Sequence, residues 1–422
     1  MTNTDEIVST SIKMNKHPME KNITKYFIAM FFRNLWISMP VGIIYFQERG
    51  LNFFEMGVLE AIVSGIVFLS DIPSGAFADI FGRKLSTGLG MFLWGLSLVL
   101  MGVFSTFNGF VITMILMGFG DSFISGAVNA LFYDSLKQMN KEQDYLKYTG
   151  KREVITAVAL ILSAILGSVL YTIHITLPFY AHGIALIVAS AIVFTMKEPI
   201  PSESSKTIAA QYKLIVKSLG FVWKNKIVRF ITIFWVLVLT IPMLFVNLME
   251  QLYLVEINIP VIYFGIIFAF TRGVIGFFAP LRYKIEKKFG EKGSFYGITV
   301  IFGVMFFLMV IITQYISLGF LFILFFTRDY TWTILDKYAN DHIPSDRRAT
   351  VLSIINFLLN MVYMGMALLI GYSLDHLGIF GLNSLLSTML MLGLATFAIL
   401  IPFLSFNYKK LNLDKKNSSA EE

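Results

Sequence analysis

Carboxylic acids stand inside long apolar stretches of this chain, where an ionised side chain is costly. Glu60, Ser64 and Asp71 fall within one such stretch, and helical geometry at about 100° per residue places all three on one face. A charge at the centre of a bilayer costs roughly 2.5–3.5 kcal/mol or more, so these groups should face protein or a water-filled cavity. We predict that Glu60 and Asp71 take up and release protons; the alternatives are an interfacial carboxylate for Glu60, and an ion pair or a cap on a broken helix for Asp71.

A further acid lies near the middle of a later apolar stretch. Asp121 is followed by Ser122, Ser125 and Asn129, which make one side of a helix polar. A buried carboxyl group can change its protonation near neutral pH. We therefore predict that Asp121 is the principal proton-coupling carboxylate, and a structural ion pair with Arg33 or another base is the alternative.

Other apolar stretches contain polar or aromatic side chains that could contact a ligand. Adjacent residues of a helix point about 100° apart, so the neighbouring Arg328 and Asp329 should serve different partners. Asn247, Glu250 and Gln251 could form an outer gate, although we favour a cap at the membrane interface for them. The predicted substrate-binding residues are Arg33, Asn34, Arg328, Asp329, Phe245 and Asn356.

The composition is that of a membrane protein. The 422 residues are 56% hydrophobic and 14% charged, whereas soluble proteins carry about 25% charged residues. The absence of cysteine excludes disulfides, thiolate metal sites and a cysteine nucleophile. The first apolar run is too long for the core of a signal peptide. No metal site, cofactor site or nucleophile–base pair is predicted, and we do not expect an enzyme.

Apolar stretches of about 20 residues, the length needed to cross a bilayer, recur along the whole chain. They predict an all-α membrane protein with twelve spans, numbered 1 to 12 in chain order: 24–47, 54–78, 86–106, 109–134, 150–173, 177–196, 228–254, 262–283, 292–313, 315–338, 350–372 and 379–406.

The basic residues predict the orientation of these spans. Of the 34 lysines and arginines, all but Arg33, Arg49, Arg272 and Arg328 fall in the tails and loops of one side. Because positive charge collects on the cytoplasmic side, both termini are predicted to be cytoplasmic. The net charge of +7 therefore reflects the orientation of the chain in the membrane, and no nucleic-acid partner is expected.

A polar interruption divides the chain into two halves of six spans. Residues 197–227 begin with prolines and serines and continue in the pattern of an amphipathic helix at the membrane surface. Weak internal similarity supports a duplication: Phe-Gly-Arg-Lys at 81–84 matches Phe-Gly-Glu-Lys at 289–292. The predicted domains are a cytoplasmic tail (1–23), a six-helix bundle (24–196), the linker (197–227), a second six-helix bundle (228–406) and a second cytoplasmic tail (407–422).

The loop after span 2 reads Gly-Ala-Phe-Ala-Asp-Ile-Phe-Gly-Arg-Lys over residues 75–84. It resembles the cytoplasmic loop motif of the major facilitator superfamily, Gly-x-Leu-Ala-Asp-x-x-Gly-Arg-Lys. Extended back to Asp71 and Pro73, it is similar to the motif of clostridial-type tetracycline exporters, which have glutamate in the place of Asp71. The resemblance implies two six-helix bundles, with spans 1, 4, 7 and 10 lining a central cavity. It also implies a cytoplasmic gate formed by Gly75, Asp79, Gly82, Arg83 and Lys84.

Two features depart from the drug antiporters of that superfamily. Met114 stands where an arginine is often found, and span 5 has Gly167 but not the glycine- and proline-rich pattern of antiporters. The acids and the resemblance together predict proton-coupled export of a hydrophobic or amphipathic small molecule by alternating access. The alternative is a proton-coupled importer of an anionic metabolite, contacted by Arg33, Arg272 and Arg328. We expect a monomer in the cell membrane, from a bacterial source, whose partners are the substrate, protons and the lipid bilayer.

Overall fold

The computed structural model describes residues 19–200, 219–273, 278–343 and 348–411. Within these ranges all regular structure is helical, and no strand occurs. The amphipathic helix predicted in the linker lies mostly outside the described residues. We refer to residues 19–200 as the first half and to residues 219–411 as the second half.

Local capping contacts explain where several helices of the first half begin. Asn52 and Glu55 form a capping box at the start of span 2, and the Thr106 hydroxyl accepts a hydrogen bond from Gly109 N at the start of span 4. The α-helices of this half are Glu20–Arg33, Gly42–Glu48, Phe53–Phe81, Arg83–Val103, Phe107–Ser125, Ala127–Lys137, Tyr145–Ile173 and Leu177–Phe194.

Two helices of the second half also begin at capping asparagines. Asn225 caps the helix Lys226–Leu244 of span 7, and Asn383 caps the helix Ser384–Ala395 of span 12. Three π-helical turns, Phe245–Met249, Ala269–Gly273 and Thr396–Leu400, interrupt its spans. The α-helices are Lys226–Leu244, Glu250–Glu256, Phe264–Phe268, Ala279–Ile311, Ser317–His342, Arg348–His376, Ser384–Ala395 and Ile401–Leu411. Within Ala279–Ile311, Gly290 has a non-helical φ of 61° and separates the end of span 8 from span 9.

Ten helices in the described ranges are long and apolar enough to cross a membrane, and Val261–Gly273 adds a shorter apolar helix. The prediction of a polytopic all-α membrane protein is therefore confirmed. Spans 1 and 8 are not among the ten, because the first is broken and the second is short as far as it is described. The number of twelve crossings stays a prediction.

The predicted span over residues 24–47 is not one continuous helix in the structure. The helix ends at Arg33, where Asn34 Nδ2 donates to Met30 O at 2.7 Å. A 3-10 turn at Met39–Val41 follows, and a new helix starts at Gly42. Pro40 lacks the backbone N–H that a continuous helix would need, and the asparagine competes for a helical carbonyl group. Hydropathy detects the apolar stretch but not this break.

The two halves pack closely at the end of the molecule away from the lysine- and arginine-rich loops. We call this the opposite end, and the other the basic end. A Cβ atom on Gly57 of span 2 would lie 2.5 Å from Ala367 O in span 11, and one on Gly371 would lie 2.5 Å from Phe53 O. Spans 5 and 8 approach in the same way at Gly265. The missing side chains let the backbones of the two halves touch.

Polar groups become accessible nearer the basic end. Phe68 of span 2 and Phe357 of span 11 stack with their ring centroids 4.1 Å apart. Beyond this stack the side chains of Asp71, Ser125 and Asn356 are exposed. We interpret the region as the inner part of a cavity that is closed at the opposite end and open at the basic end.

Candidate functional site: acids and arginines between the spans

Glu60 lies at the interface between the halves. The Tyr363 hydroxyl of span 11 donates to Glu60 Oε2 at 2.9 Å, and Asn247 Nδ2 of span 7 donates to the Tyr363 oxygen at 2.9 Å. Tyr363 is only 2% exposed. One chain of hydrogen bonds therefore joins a carboxylate of the first half to two spans of the second. The sequence indicated Glu60 and Asn247, whereas a tyrosine in an apolar stretch gave no comparable signal.

Asp71 and Asp121 form a second acidic group, between spans 2 and 4. Ser125 Oγ donates to Asp71 Oδ1 at 3.3 Å. Asp121 lies within electrostatic range of both Asp71 and Arg33. Within the part of the chain that the structure describes, neither acid is in an ion pair. The alternative of a structural pair between Asp121 and Arg33 is therefore not formed in this conformation.

Arg33 and Asn34 lie at the break in span 1. Asn34 Nδ2 donates to Thr156 Oγ1 of span 5 at 3.2 Å as well as to Met30 O. Arg33 has a buried Nε atom without a hydrogen-bond partner among the described residues. Asn34 thus holds the broken backbone, and its Oδ1 atom accepts a hydrogen bond from Arg33 Nη1 at 3.5 Å.

A buried ion pair neutralises one of the arginines of the second half. Arg272 donates to Glu250 from both terminal nitrogens, at 3.1 and 2.5 Å, and its guanidinium carbon lies 3.9 Å from the ring centroid of Phe268. Glu250 is 0% exposed. Arg328 lies within electrostatic range of this pair and 6.0 Å from the Phe325 ring, and the described residues place no acid in an ion pair with it. Arg328 is the unmatched cation of this group.

The other predicted substrate residues lie in different surroundings. Asp329 pairs with Arg282 at the basic end, so its carboxylate is engaged within the second half. Phe245 is fully buried and packs edge-to-face on Phe306, which keeps a ligand away from it in this conformation. Asn356 is exposed beside the stack of Phe68 and Phe357. The structure thus does not gather all six predicted residues around one space.

The motif at residues 75–84 makes a compact cluster at the basic end. Gly82 has a φ of 103°, which favours glycine and allows the tight turn between spans 2 and 3. The Arg83 guanidinium pairs with the Asp134 carboxylate of span 4. Glu198 accepts hydrogen bonds from Arg83 N at 2.7 Å and from Lys84 N at 3.0 Å, and so caps span 3.

The remaining motif residues have fewer contacts. Gly75 has open space around it, and Asp79 has no ion pair or side-chain hydrogen bond among the described residues. Glu198 was not singled out in the sequence, because a glutamate 114 residues or more from the motif gives no local sign of such a contact. The hydrogen bonds and the ion pair that the motif forms with described residues stay within the first half.

The sequence profile of the Major Facilitator Superfamily matches residues 25–368, which is most of the chain. The chain belongs to the major facilitator superfamily. It is 22% identical over 368 residues to an uncharacterised transporter of this superfamily from Methanocaldococcus jannaschii, covering 86% of this chain and 93% of that protein. It is 26% identical over 192 residues to multidrug resistance protein 1 of Bacillus subtilis, where the match covers 45% of this chain and 47% of the relative.

Solved structures confirm the fold of this transporter family. The nucleoside transporter NupG superposes with a TM-score of 0.76 at 12% identity, over 92% of this chain and 98% of that one. A bacterial homologue of the human lysosomal transporter Spinster, in an inward-facing and occupied conformation, superposes with a TM-score of 0.70 at 13% identity, over 92% and 95% of the two chains. The resemblance inferred from residues 75–84 is therefore confirmed for family and fold.

Proposed function

We propose that this transporter exports a hydrophobic or amphipathic small molecule in exchange for protons, by alternating access. The observation that carries the proposal is the pair Asp71 and Asp121: Asp71 is exposed and accepts a hydrogen bond from Ser125, and neither acid is in an ion pair among the described residues. An unpaired acid that water can reach is able to bind and release a proton as the cavity changes sides. A carboxylate locked in an ion pair would be far less suited to that cycle.

The direction and the class of substrate are supported by the relatives. Besides multidrug resistance protein 1, the quinolone resistance protein NorA of Staphylococcus aureus is 24% identical over 191 residues, 45% of this chain and 48% of that protein. Both names describe resistance. The many aromatic side chains, 41 of them phenylalanine, suit a cavity for apolar ligands. The basic end, which we propose is cytoplasmic, is the side from which an exporter takes its substrate.

Expression in an efflux-deficient bacterial host tests the proposal. We expect protein-dependent resistance to at least one member of a panel of hydrophobic antibiotics and dyes, and loss of that resistance in Asp121→Asn. The control is Asp341→Asn, which changes an exposed acid at the basic end and should leave resistance intact. Wild-type protein that is present in the membrane yet protects against no compound would count against export.

A second candidate, import of an anionic metabolite with protons, is favoured by one observation. Arg328 is in no ion pair among the described residues, whereas Arg272 is paired with Glu250. An unmatched cation within a span would be stabilised by the acidic group of a substrate. Uptake into proteoliposomes under an inward proton gradient distinguishes this candidate, because an exporter that exchanges substrate for protons requires the opposite gradient.

A further inference from the structure

Two side chains of the second half bind the backbone of the first half at the opposite end of the molecule. We propose that Gln251 and Asp375 form a latch that holds this end closed and that must release before the cavity can open there. The inference rests on membership of a family of transporters and on the contacts below. It does not depend on the substrate, the coupling ion or the direction of transport.

Gln251 forms hydrogen bonds with the backbone at the break in span 1. Its Oε1 atom accepts hydrogen bonds from Ile43 N at 2.9 Å and from Ile44 N at 3.3 Å, and its Nε2 atom donates to Met39 O at 3.0 Å. The side chain is 4% exposed. The first N–H groups of the helix Gly42–Glu48 have no partner within that helix, and an amide from the other half satisfies them.

Asp375 forms hydrogen bonds with the backbone at the start of span 2. Its two carboxylate oxygens accept hydrogen bonds from Phe53 N at 3.0 Å and from Phe54 N at 2.8 Å. A negative charge is favoured at a helix N-terminus, where N–H groups are unpaired and the helix dipole is positive. The partner element is the 29-residue helix Phe53–Phe81, so the contact ties a whole span of the first half to span 11 of the second.

Both contacts can form only while the two halves are together at the opposite end. Each joins a side chain of one half to a backbone of the other, so neither can survive when the halves separate at this end. The helix beginning at Phe53 also has a local cap, because Asn52 accepts from Glu55 N at 2.8 Å. That contact lies within one half and persists in either conformation. Asn52 therefore provides a matched control on the same helix end.

The distance between two spin labels, one in each half, measures whether the latch is closed. The chain contains no cysteine, so a pair of cysteines can be introduced and labelled without labelling other sites. Ser105 and Tyr315 are exposed in the loops of the opposite end, one in each half. In proteoliposomes, with both positions labelled, the wild type should show mainly the short distance. Asp375→Ala should raise the ratio of long to short distance by about tenfold, because the lost hydrogen bonds involve a charged carboxylate. Gln251→Leu should have an effect of about the same size, because three neutral hydrogen bonds are lost together.

Asn52→Ala should leave the distance distribution like that of the wild type. Asp375→Asn keeps one neutral acceptor oxygen and should give an intermediate shift, which provides a measurement if Asp375→Ala does not fold. The latch is refuted if the folded Asp375 and Gln251 variants keep the wild-type distribution. It is equally refuted if Asn52→Ala shifts the distribution as far as they do, because helix capping in general would then be the cause.

Discussion

Charged side chains inside the spans are balanced differently in the two halves. In the second half Glu250 is matched by Arg272, and Asp329 by Arg282, which leaves Arg328. In the first half Glu60, Asp71 and Asp121 outnumber Arg33, and no ion pair forms among these four in the described part of the chain. Among the described residues the unpaired acids thus lie in the first half together with the unpaired Arg33, and in the second half Arg328 is left without an ion pair.

Replacing Asp121 tests proton binding at one residue. We expect Asp121→Asn to abolish transport driven by a proton gradient while exchange of substrate across the membrane continues, because the amide cannot carry the proton. Counterflow and gradient-driven transport, measured in the same proteoliposomes, separate the two activities. Loss of both in a folded variant would assign Asp121 to substrate binding or to structure.

Replacing Arg272 tests the buried ion pair. Removing one partner of such a pair leaves an uncompensated charge and costs about 3–5 kcal/mol. We expect Arg272→Gln to lower the thermal unfolding temperature clearly, and Arg272→Gln combined with Glu250→Gln to restore much of it. A double variant as unstable as the single one would show that the packing of Arg272 on Phe268, rather than its charge, is what matters.

At the scale of the helices, the sequence was informative where a signal is local. Apolar length predicted nearly every span, and the residues at 75–84 predicted the family. The break at Asn34 to Pro40, the π-helical turns and the contacts of Tyr363, Glu198 and Asp375 were not predicted. Each of these features depends on a partner that is distant in sequence or on a small change in backbone geometry. A distant partner and a small backbone change both leave the hydropathy pattern unaltered.

The close approach of spans 2 and 11 leads to a prediction with a control in the same helix. Gly371→Ala places a methyl group 2.5 Å from Phe53 O, so we expect a lower unfolding temperature and a larger fraction of molecules open at the opposite end. Gly365→Ala meets open space and should be neutral, or stabilising by about 0.5–1 kcal/mol. Thermal unfolding of the two variants checks this, and equal effects would argue against the glycine contact.

At the scale of the whole molecule, the fold, the closed end and the charges describe one state of a transport cycle. The contacts between the halves described above lie at the opposite end and along spans 2 and 11, whereas Asp71 and Ser125 are exposed nearer the basic end. Family and fold follow from sequence and structure together, and export coupled to protons is the proposal that remains to be measured.

Proton release from everted membrane vesicles tests that proposal most directly. Vesicles from an efflux-deficient host, made acidic inside by respiration, would be given a hydrophobic dye to which the protein confers resistance. We predict that dye accumulates inside while protons leave, and that Asp121→Asn vesicles show neither effect. Dye accumulation without proton release, or uptake of an anionic metabolite by right-side-out vesicles under an inward proton gradient, would contradict the account.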